Sequence, residues 1–402
     1  MEFEVLILGS DVNAYYMARC THEAYNIKPY MLINSKLQFT THSRIINHIY
    51  NNKLWDENSF VEAIRNFSSE HKDKKIVVIS SNETYAQFLV KNKDKFDNNI
   101  LFNYPNLDIT NSLINKELFY KTYSNSVLSF PKTLYIKPSE FNIKLIDFSY
   151  PIIIKPANVI AFNHIEFHGK KKIYKVNDES ELLESIKNIQ NSTYNDTLII
   201  QEYIPGDDSY LFDSVVYSNK NCEVKLVSFA QIGLQEHNPS MVGNAAVVIN
   251  GYNSFKIDTT SIVEDIKNFM NSISYSGFAE FDLKYDERDG KFKVLEINAR
   301  QGRCSYYICP LGFNLVKILV DDLVYNKKMD FKYLNKKSML TFVKKSIIKK
   351  YIKNYDYKKE ALQLYKKSVN PLKYSKDFSL YRMYLYMRRD KNYRNSYKNY
   401  DW

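Results

Sequence analysis

Hydrophobic positions along the chain fall in short blocks separated by amphipathic stretches. FEVLILG followed by SDVNAYYMARCTHEAY reads as a buried strand, a turn and a helix, and KKIVVIS with SNETYAQFLVKN repeats that order near residue 75. This alternation predicts a parallel α/β layer. After Pro105 the pattern changes: NSLINKELFYKTY predicts a capped helix and FPKTLYI a proline-started strand, placing a domain boundary near Thr110. YPIIIKPAN predicts a strand that enters a proline turn with Lys155 at its end, and DTLIIQEYIPGDDSYLFDSVVYS predicts two strands with a short connector. Beyond Phe331 the pattern is mostly helical, and no internal repeat is visible.

FAEFDLKY and KFKVLEIN alternate with period two around the turn-rich DERDG, which predicts a hairpin. With a five-residue loop from Asp286 to Gly290, Tyr285 pairs with Lys291, so Asp282 sits opposite Val294 and diagonal to Glu296. Diagonal neighbours lie roughly 7 to 8 Å apart at the backbone, so the two carboxylates would converge on one face. With the amide oxygen of Asn298 two residues on, they form a set of hard oxygen ligands of the kind Mg²⁺ takes beside nucleotide phosphates. A solvated acidic edge is the plainer reading, and a loop of even length would turn the acids to opposite faces.

The 402 residues, 45% of them hydrophobic, suggest two or three domains with ample core. Cys20, Cys222, Cys304 and Cys309 form no C-x-x-C pair, so neither a zinc site nor a disulfide framework is indicated and reduced thiols are expected. Apolar runs stay well below the roughly 18 residues of a spanning helix, and Glu2 and Glu4 do not suit a signal peptide. A cytoplasmic protein is expected.

The net charge of +11 is unevenly placed: Lys332 to Trp402 carry 20 Lys/Arg against 5 Asp/Glu, and the residues before them carry 36 against 40. That tail also holds 12 of the 34 tyrosines. It reads as a solvated helical face or as a surface for anionic lipid at the inner membrane face or a pyrophosphate-bearing substrate, with nucleic acid a poorer fit. Arg382, Arg388, Arg389 and Lys391 are the charges expected on that surface.

No common phosphate loop is present, since GSDVNA lacks the later glycines of G-x-G-x-x-G and no G-x-x-x-x-G-K-[ST] occurs. In QEYIPGDD, a strand end at Gln201 and an exposed backbone segment through Glu202, Tyr203 and Ile204 can offer a carbonyl and an amide to the two edges of adenine. Asp208 can accept from ribose hydroxyls, although a plain Pro-Gly-Asp turn has the same sequence.

Taken together, a helix lysine (Lys116), a strand lysine before proline (Lys155), this hinge, and Asp, Glu-x-Asn and Arg on a hairpin resemble the ATP-grasp superfamily. The strings LGSDVNAYYMAR, IIIKPAN, FHGKKK, QEYIPGDDS, VGNAAVVI, GFAEFDLKYDERDG and EINARQGRCSYY resemble, within it, the bacterial D-aspartate ligases of peptidoglycan synthesis. The likeness runs from residue 4 to about 330 and continues weakly into the basic tail. It implies an α/β and α+β fold: a Rossmann-like N-terminal domain (1–110), a two-subdomain ATP-grasp fold (111–200 and 201–330), and a basic helical extension (331–402).

By resemblance, Lys116 and Lys155 bind ATP phosphates. Gln201, the Glu202 carbonyl, Tyr203 and the Ile204 amide form the adenine hinge, and Asp208 meets ribose. Asp282, Glu296 and Asn298 hold Mg²⁺, two ions being expected, and Arg300 steadies the transferring phosphoryl group. Two departures stand out. The segment 157–172, where the superfamily has a glycine-rich lid, offers only Gly169, with His164 and His168 beside it as surface or lid residues. Glu280 occupies the position two before the metal aspartate, where many related ligases carry arginine.

The implied reaction is ATP-dependent carboxylate-amine ligation. Phosphorylation turns a poor electrophile into an acyl phosphate, Lys155 and Arg300 supply positive charge, and the amine must lose a proton, with Glu280 a candidate acceptor. The resemblance names D-aspartate as acyl donor and the lysine side-chain amine of a cell-wall precursor as acceptor. Another amino acid and amine, a phosphotransferase, and a non-catalytic basic protein are the alternatives.

Overall fold

The structure is a computed structural model and describes residues 2–163, 165–238, 241 and 243–400. The expected α/β layer is present. Strands β1 (Phe3–Leu8), β2 (Tyr30–Ile33), β3 (Asn47–Tyr50), β4 (Lys75–Ser80) and β5 (Ile100–Leu101) form a parallel sheet in the order β3-β2-β1-β4-β5. Helices α1 (Val12–Tyr25), α2 (Glu57–Glu70) and α3 (Glu83–Lys91) start at Asp11, Asp56 and Asn82, whose side chains accept from the free first-turn amides.

Where one helix is expected after Pro105 there are two, α4 (Leu107–Ile114), which contains Thr110, and α5 (Lys116–Tyr123). Asn115 divides them because its side chain accepts from Glu117 N and Leu118 N, ending one helix and capping the next. Lys116 therefore begins α5.

A four-stranded antiparallel sheet follows. It is built of β6 (Thr133–Ile136), β7 (Ile152–Pro156), β8 (Tyr174–Val176) and β9 (Leu198–Glu202) in the order β6-β9-β7-β8. α6 (Val159–Asn163) and α7 (Glu179–Gln190) lie between its strands, and Leu182, Ile186 and Ile189 of α7 join its core with Ile152, Ile154, Leu198 and Ile200.

The larger sheet has eight strands. β10 (Leu211–Ser218) pairs along its length with β14 (Gly277–Asp286), which pairs with β15 (Lys291–Asn298). Its other edge is shared by β11 (Val224–Ser228) and β12 (Ala230–Gln235), and β13 (Ala245–Asn250) continues outward from β12. α8 (Thr260–Ser272) packs Ile262, Ile266 and Phe269 against Phe281, Leu283 and Val294, leaving the opposite face of the hairpin for polar side chains. α9 (Leu315–Leu323) lies against α1 and carries Asp322, which accepts from the Tyr217 hydroxyl.

The basic C-terminal residues are integrated into this body. β16 (Lys332–Leu334) pairs with β11, and β17 (Ser338–Thr341) with β13. α10 (Lys345–Tyr351) and α11 (Tyr355–Leu364) follow, and Tyr357 is fully buried with its hydroxyl on the Gln231 carbonyl. On the last helix, α12 (Leu380–Asn399), Arg382 is only 1% exposed. It lies 3.3 Å from Asp377 and donates to Phe39 O and Thr41 O. Asp377 in turn accepts from Tyr15, Ser43 and the Arg44 amide, which binds the C-terminus to the N-terminal layer. The expectation that Arg382 and Arg389 are surface charges is corrected: the first is an internal ion-pair partner and the second has its Nε buried. Arg388 and Lys391 are exposed. No helix among the described residues is long and apolar enough to cross a membrane.

Candidate active site

The acidic hairpin brings its carboxylates to one face by a different register from the expected one. Asp286 pairs with Lys291, so the loop is the four residues Glu287 to Gly290. That even length would turn Glu296 to the core, but the ladder shifts between Asp282 and Leu283. Leu283 faces Val294, Asp282 faces Glu296 directly, and Leu295 is the extra residue of a bulge. The displaced Leu295 carbonyl accepts from the Tyr120 hydroxyl at 2.6 Å, and that hydroxyl lies 3.1 Å from Lys155 Nζ. One irregularity thus restores the acidic face and links it to the strand lysine.

Three carboxylates form a row across adjacent strands, because Asp213 of β10 is also opposite Asp282. Glu280 lies one pair along, opposite Asn298. Asp213 escaped the sequence reading; its signal is a lone acid inside the apolar run YLFDSVVY. Burial, then the charge of Asp282, raises its carboxyl to about 7, and the Tyr307 hydroxyl donates to it at 2.8 Å. Burial and repulsion from Glu280 and Glu296 push Asp282 well above the usual carboxylate range. Burial, then repulsion from Asp213, to which it is hydrogen-bonded, pushes Glu280 well above the usual carboxylate range too. Gly302 lies directly on it: a Cβ there would stand 1.4 Å from Glu280 Oε2.

Cations converge from the other elements. Lys116 pairs with Glu296, and against the effect of burial its charge, with those of Lys172 and Lys155, holds that carboxyl down to about 2. Lys155 is buried at the end of β7, and desolvation with Lys116 nearby lowers it to about 7. Arg300 donates to the Gln301 carbonyl at 2.8 Å and pairs at 2.5 Å with Glu83, the first residue of α3, so the N-terminal layer positions it.

The donor set suits a divalent cation. The Asn298 amide has its nitrogen best placed toward Glu296 Oε1 (3.2 Å) and Glu83 Oε1 (3.1 Å), which turns its oxygen toward Asp282 Oδ2 across 3.4 Å. Two oxygens facing at that distance, beside carboxyls raised by burial and mutual repulsion, suit a hard cation. Among the described residues no three acidic, thiol or imidazole groups already converge on one point, since Lys116 occupies Glu296. His168 is exposed, and His164 lies outside the described residues.

At the hinge, the last ladder pair is Ile152 with Glu202, so Tyr203 and Ile204 leave the sheet with their backbone groups outside it. Gln201 is buried and donates to Thr133, and the Glu202 carboxylate ties the Lys132 amide to Arg288. Asp208 accepts from Gln235 N and Nε2 at 2.8 and 2.7 Å, which fixes its carboxylate at the cavity edge. Lys284 is a further cation that the sequence reading missed: burial lowers it to about 8, and it donates to the Gly206 carbonyl. These groups, the carboxylate row, Lys116, Lys155 and Arg300 all line a cavity of about 970 Å³.

No family model matches the chain. It is 31% identical over 413 aligned positions to the D-aspartate ligase of Enterococcus faecium, covering 99% of this chain and 97% of that one. The structure superposes on the L-amino acid ligase of Bacillus licheniformis with a TM-score of 0.56 at 17% identity, covering 79% and 74% of the two chains. On the biotin carboxylase domain of the Hydrogenobacter thermophilus 2-oxoglutarate carboxylase, solved with MgADP and bicarbonate, the TM-score is 0.62 at 14% identity, with 84% and 74% covered.

The two antiparallel sheets around a cavity, behind a parallel α/β layer, are the fold of the ATP-grasp ligases. The chain belongs to the D-aspartate ligase family.

Proposed function

We propose that this ATP-grasp ligase joins D-aspartate, through its β-carboxylate, to the lysine side-chain amine of a peptidoglycan precursor. The observation that carries the reading is the two-sided cavity. Buried Lys155 on the small sheet and Lys116 on α5 face Asp282, Glu296, Asn298 and Arg300 on the large one. Lys116 and Lys155 would hold ATP phosphates, Gln201 to Ile204 the adenine and Asp208 the ribose. Asp282, Glu296 and Asn298 would hold Mg²⁺, which when bound neutralises phosphate charge. Loading the site would draw Glu296 from Lys116 and free that ammonium for phosphate. Arg300, locked by Glu83, would face the charge that develops during phosphoryl transfer. The hydrogen-bonded pair Asp213 and Glu280, which already shares one proton, would take the proton of the attacking amine as its second.

The test is a screen of D- and L-amino acids for ADP release with a lysine-containing pentapeptide precursor. D-aspartate should stand out, and amide formation should match ADP release. Preference for another amino acid, or release without amide, would overturn the substrate assignment.

A second proposal concerns location. The outer face of α12 presents Leu380 (74% exposed), Tyr384 and Met387 (63%), and continues into Arg388, Lys391, Arg394 and Lys398. Apolar side chains at one end of an exposed helix and cations at the other suit peripheral contact with an anionic membrane face. Cosedimentation with phosphatidylglycerol vesicles should be strong and salt-sensitive, and equal binding to neutral vesicles would refute it.

A further inference from the structure

One further cation on the cavity wall, Arg303, has a part in none of the roles above, and a second, Arg389 of the C-terminal helix, lies behind it. Arg303 lines the same cavity as Arg300, three residues along the chain, with Gly302 pressed against Glu280 between them. One nitrogen of its guanidinium, Nη2, pairs with Glu236, just beyond β12, and lies 3.2 Å from the Tyr393 hydroxyl of α12. Tyr393 donates to the same Glu236 oxygen at 2.8 Å. The Arg303 guanidinium lies over the Phe342 ring, 4.5 Å from its centroid.

The cluster is short of negative charge. Arg389, one helical turn before Tyr393, lies over the Phe39 and Tyr386 rings, and burial with repulsion from Arg303 lowers its affinity for its proton. The next acid, Asp390, is engaged by Lys344 at 3.0 Å. Two guanidinium groups thus repel each other, and the one carboxylate paired with them, Glu236, is on Arg303. Three buried donors, Arg303 Nε and Nη1 and Arg389 Nε, have no hydrogen-bond partner among the described residues. A buried guanidinium with unpaired N–H groups is matched by an anion, and a carboxylate can accept a charge-assisted bond from Nη1 while Nη2 stays on Glu236.

We infer that Arg303 seats the carboxylate of the acyl donor that is not activated, with Arg389 a positioning residue that supplies charge behind it. This rests on the dicarboxylic donor proposed above. Such a donor needs one carboxylate beside Lys155 and Arg300 for phosphorylation and a second anion site on the same cavity, and Arg303 is on that wall. The C-terminal helix thereby becomes part of substrate selection, because it holds Tyr393 and Arg389 against Glu236 and Arg303.

The experiment compares two donors in ATP-dependent hydroxamate formation: D-aspartate and β-alanine, which has the same reacting carboxylate and amine but no second carboxylate. Arg303→Met, made with Glu236→Gln so that no buried carboxylate is left unpaired, should raise KM for D-aspartate by about tenfold to a hundredfold, the worth of a hydrogen bond to a charged group. KM for β-alanine and for ATP should stay at parental values, and Arg389→Met alone should give a smaller shift in the same direction. Equal shifts for both donors, or none, overturn the assignment. If the parent uses neither donor, the D-aspartate reading fails, and the anion site is then read separately from the rise in melting temperature that succinate gives in the presence of MgADP. A rise in the parent that is absent in the double variant supports the site, and an identical response in both refutes it.

Discussion

Gly302→Ala is the sharpest structural perturbation of the site. The added Cβ would lie 1.4 Å from Glu280 Oε2, 1.5 Å from Cδ and 1.8 Å from Oε1, where ordinary contacts begin at 3.4 Å. The carboxyl must move by roughly 2 Å, and its bond to Asp213 leaves little room to do so. Overpacking of a tight interior typically costs about 1 to 3 kcal/mol, and loss of a buried bond to a charged group about 1.5 to 3 kcal/mol, so a loss of about 3 to 5 kcal/mol is expected. Denaturant unfolding of Gly302→Ala, Glu280→Ala and the double variant forms a cycle. Because Glu280→Ala removes the clashing atoms together with the same bond, the double variant should lose that bond only once and recover the overpacking, a coupling of about 3 to 5 kcal/mol. A neutral Gly302→Ala, or strict additivity, would show that Glu280 does not sit over Gly302 and that the carboxylate row is arranged differently.

Asp282→Asn and Glu296→Gln should each lower kcat by about a hundredfold or more with the fold intact, since each removes a charge facing phosphate without changing volume; near-parental turnover in both would end the metal role of the hairpin. Lys155, lowered to about 7 from 10.5, is less protonated than in the unfolded chain between those pH values, so its contribution to stability rises with pH across that window. Phosphate binding should restore its charge, so calorimetry at pH 8 in buffers of different ionisation enthalpy should show uptake of about one proton per ATP, and Lys155→Ala should abolish both the uptake and tight binding. Arg382→Glu places a second acid against buried Asp377 and should unfold the protein at ambient temperature. The triple change Arg388→Glu, Lys391→Glu and Arg394→Glu, all on exposed positions, should instead leave the melting temperature near parental and reduce sedimentation with anionic vesicles; unchanged sedimentation would remove the membrane proposal.

Local chemistry made much of this protein legible before its coordinates. The βα order of the first hundred residues follows from buried runs and Asp/Asn caps, and Lys155 is placed by the strand that must end at Pro156. The hairpin register could not be read, because a four-residue and a five-residue loop share the same turn-rich string and the bulge at Leu295 answers to a partner 175 residues away, Tyr120. Asp213 and Lys284 were hidden for a related reason: each becomes a site residue only when β10 and β14 lie side by side. Charge alone misled at α12, where Arg382 and Arg389 are as basic as Arg388 but turn inward, to Asp377 and over the Phe39 and Tyr386 rings.

The central claim is that a carboxylate is activated by phosphate before the amine attacks. D-aspartate labelled with ¹⁸O in its carboxylates, incubated with the protein, ATP, Mg²⁺ and the lysine-containing pentapeptide, tests it directly. An acyl phosphate predicts that each molecule of released inorganic phosphate carries one ¹⁸O from the activated carboxylate, with one amide formed per ADP. Amide formation accompanied by unlabelled phosphate would contradict the account.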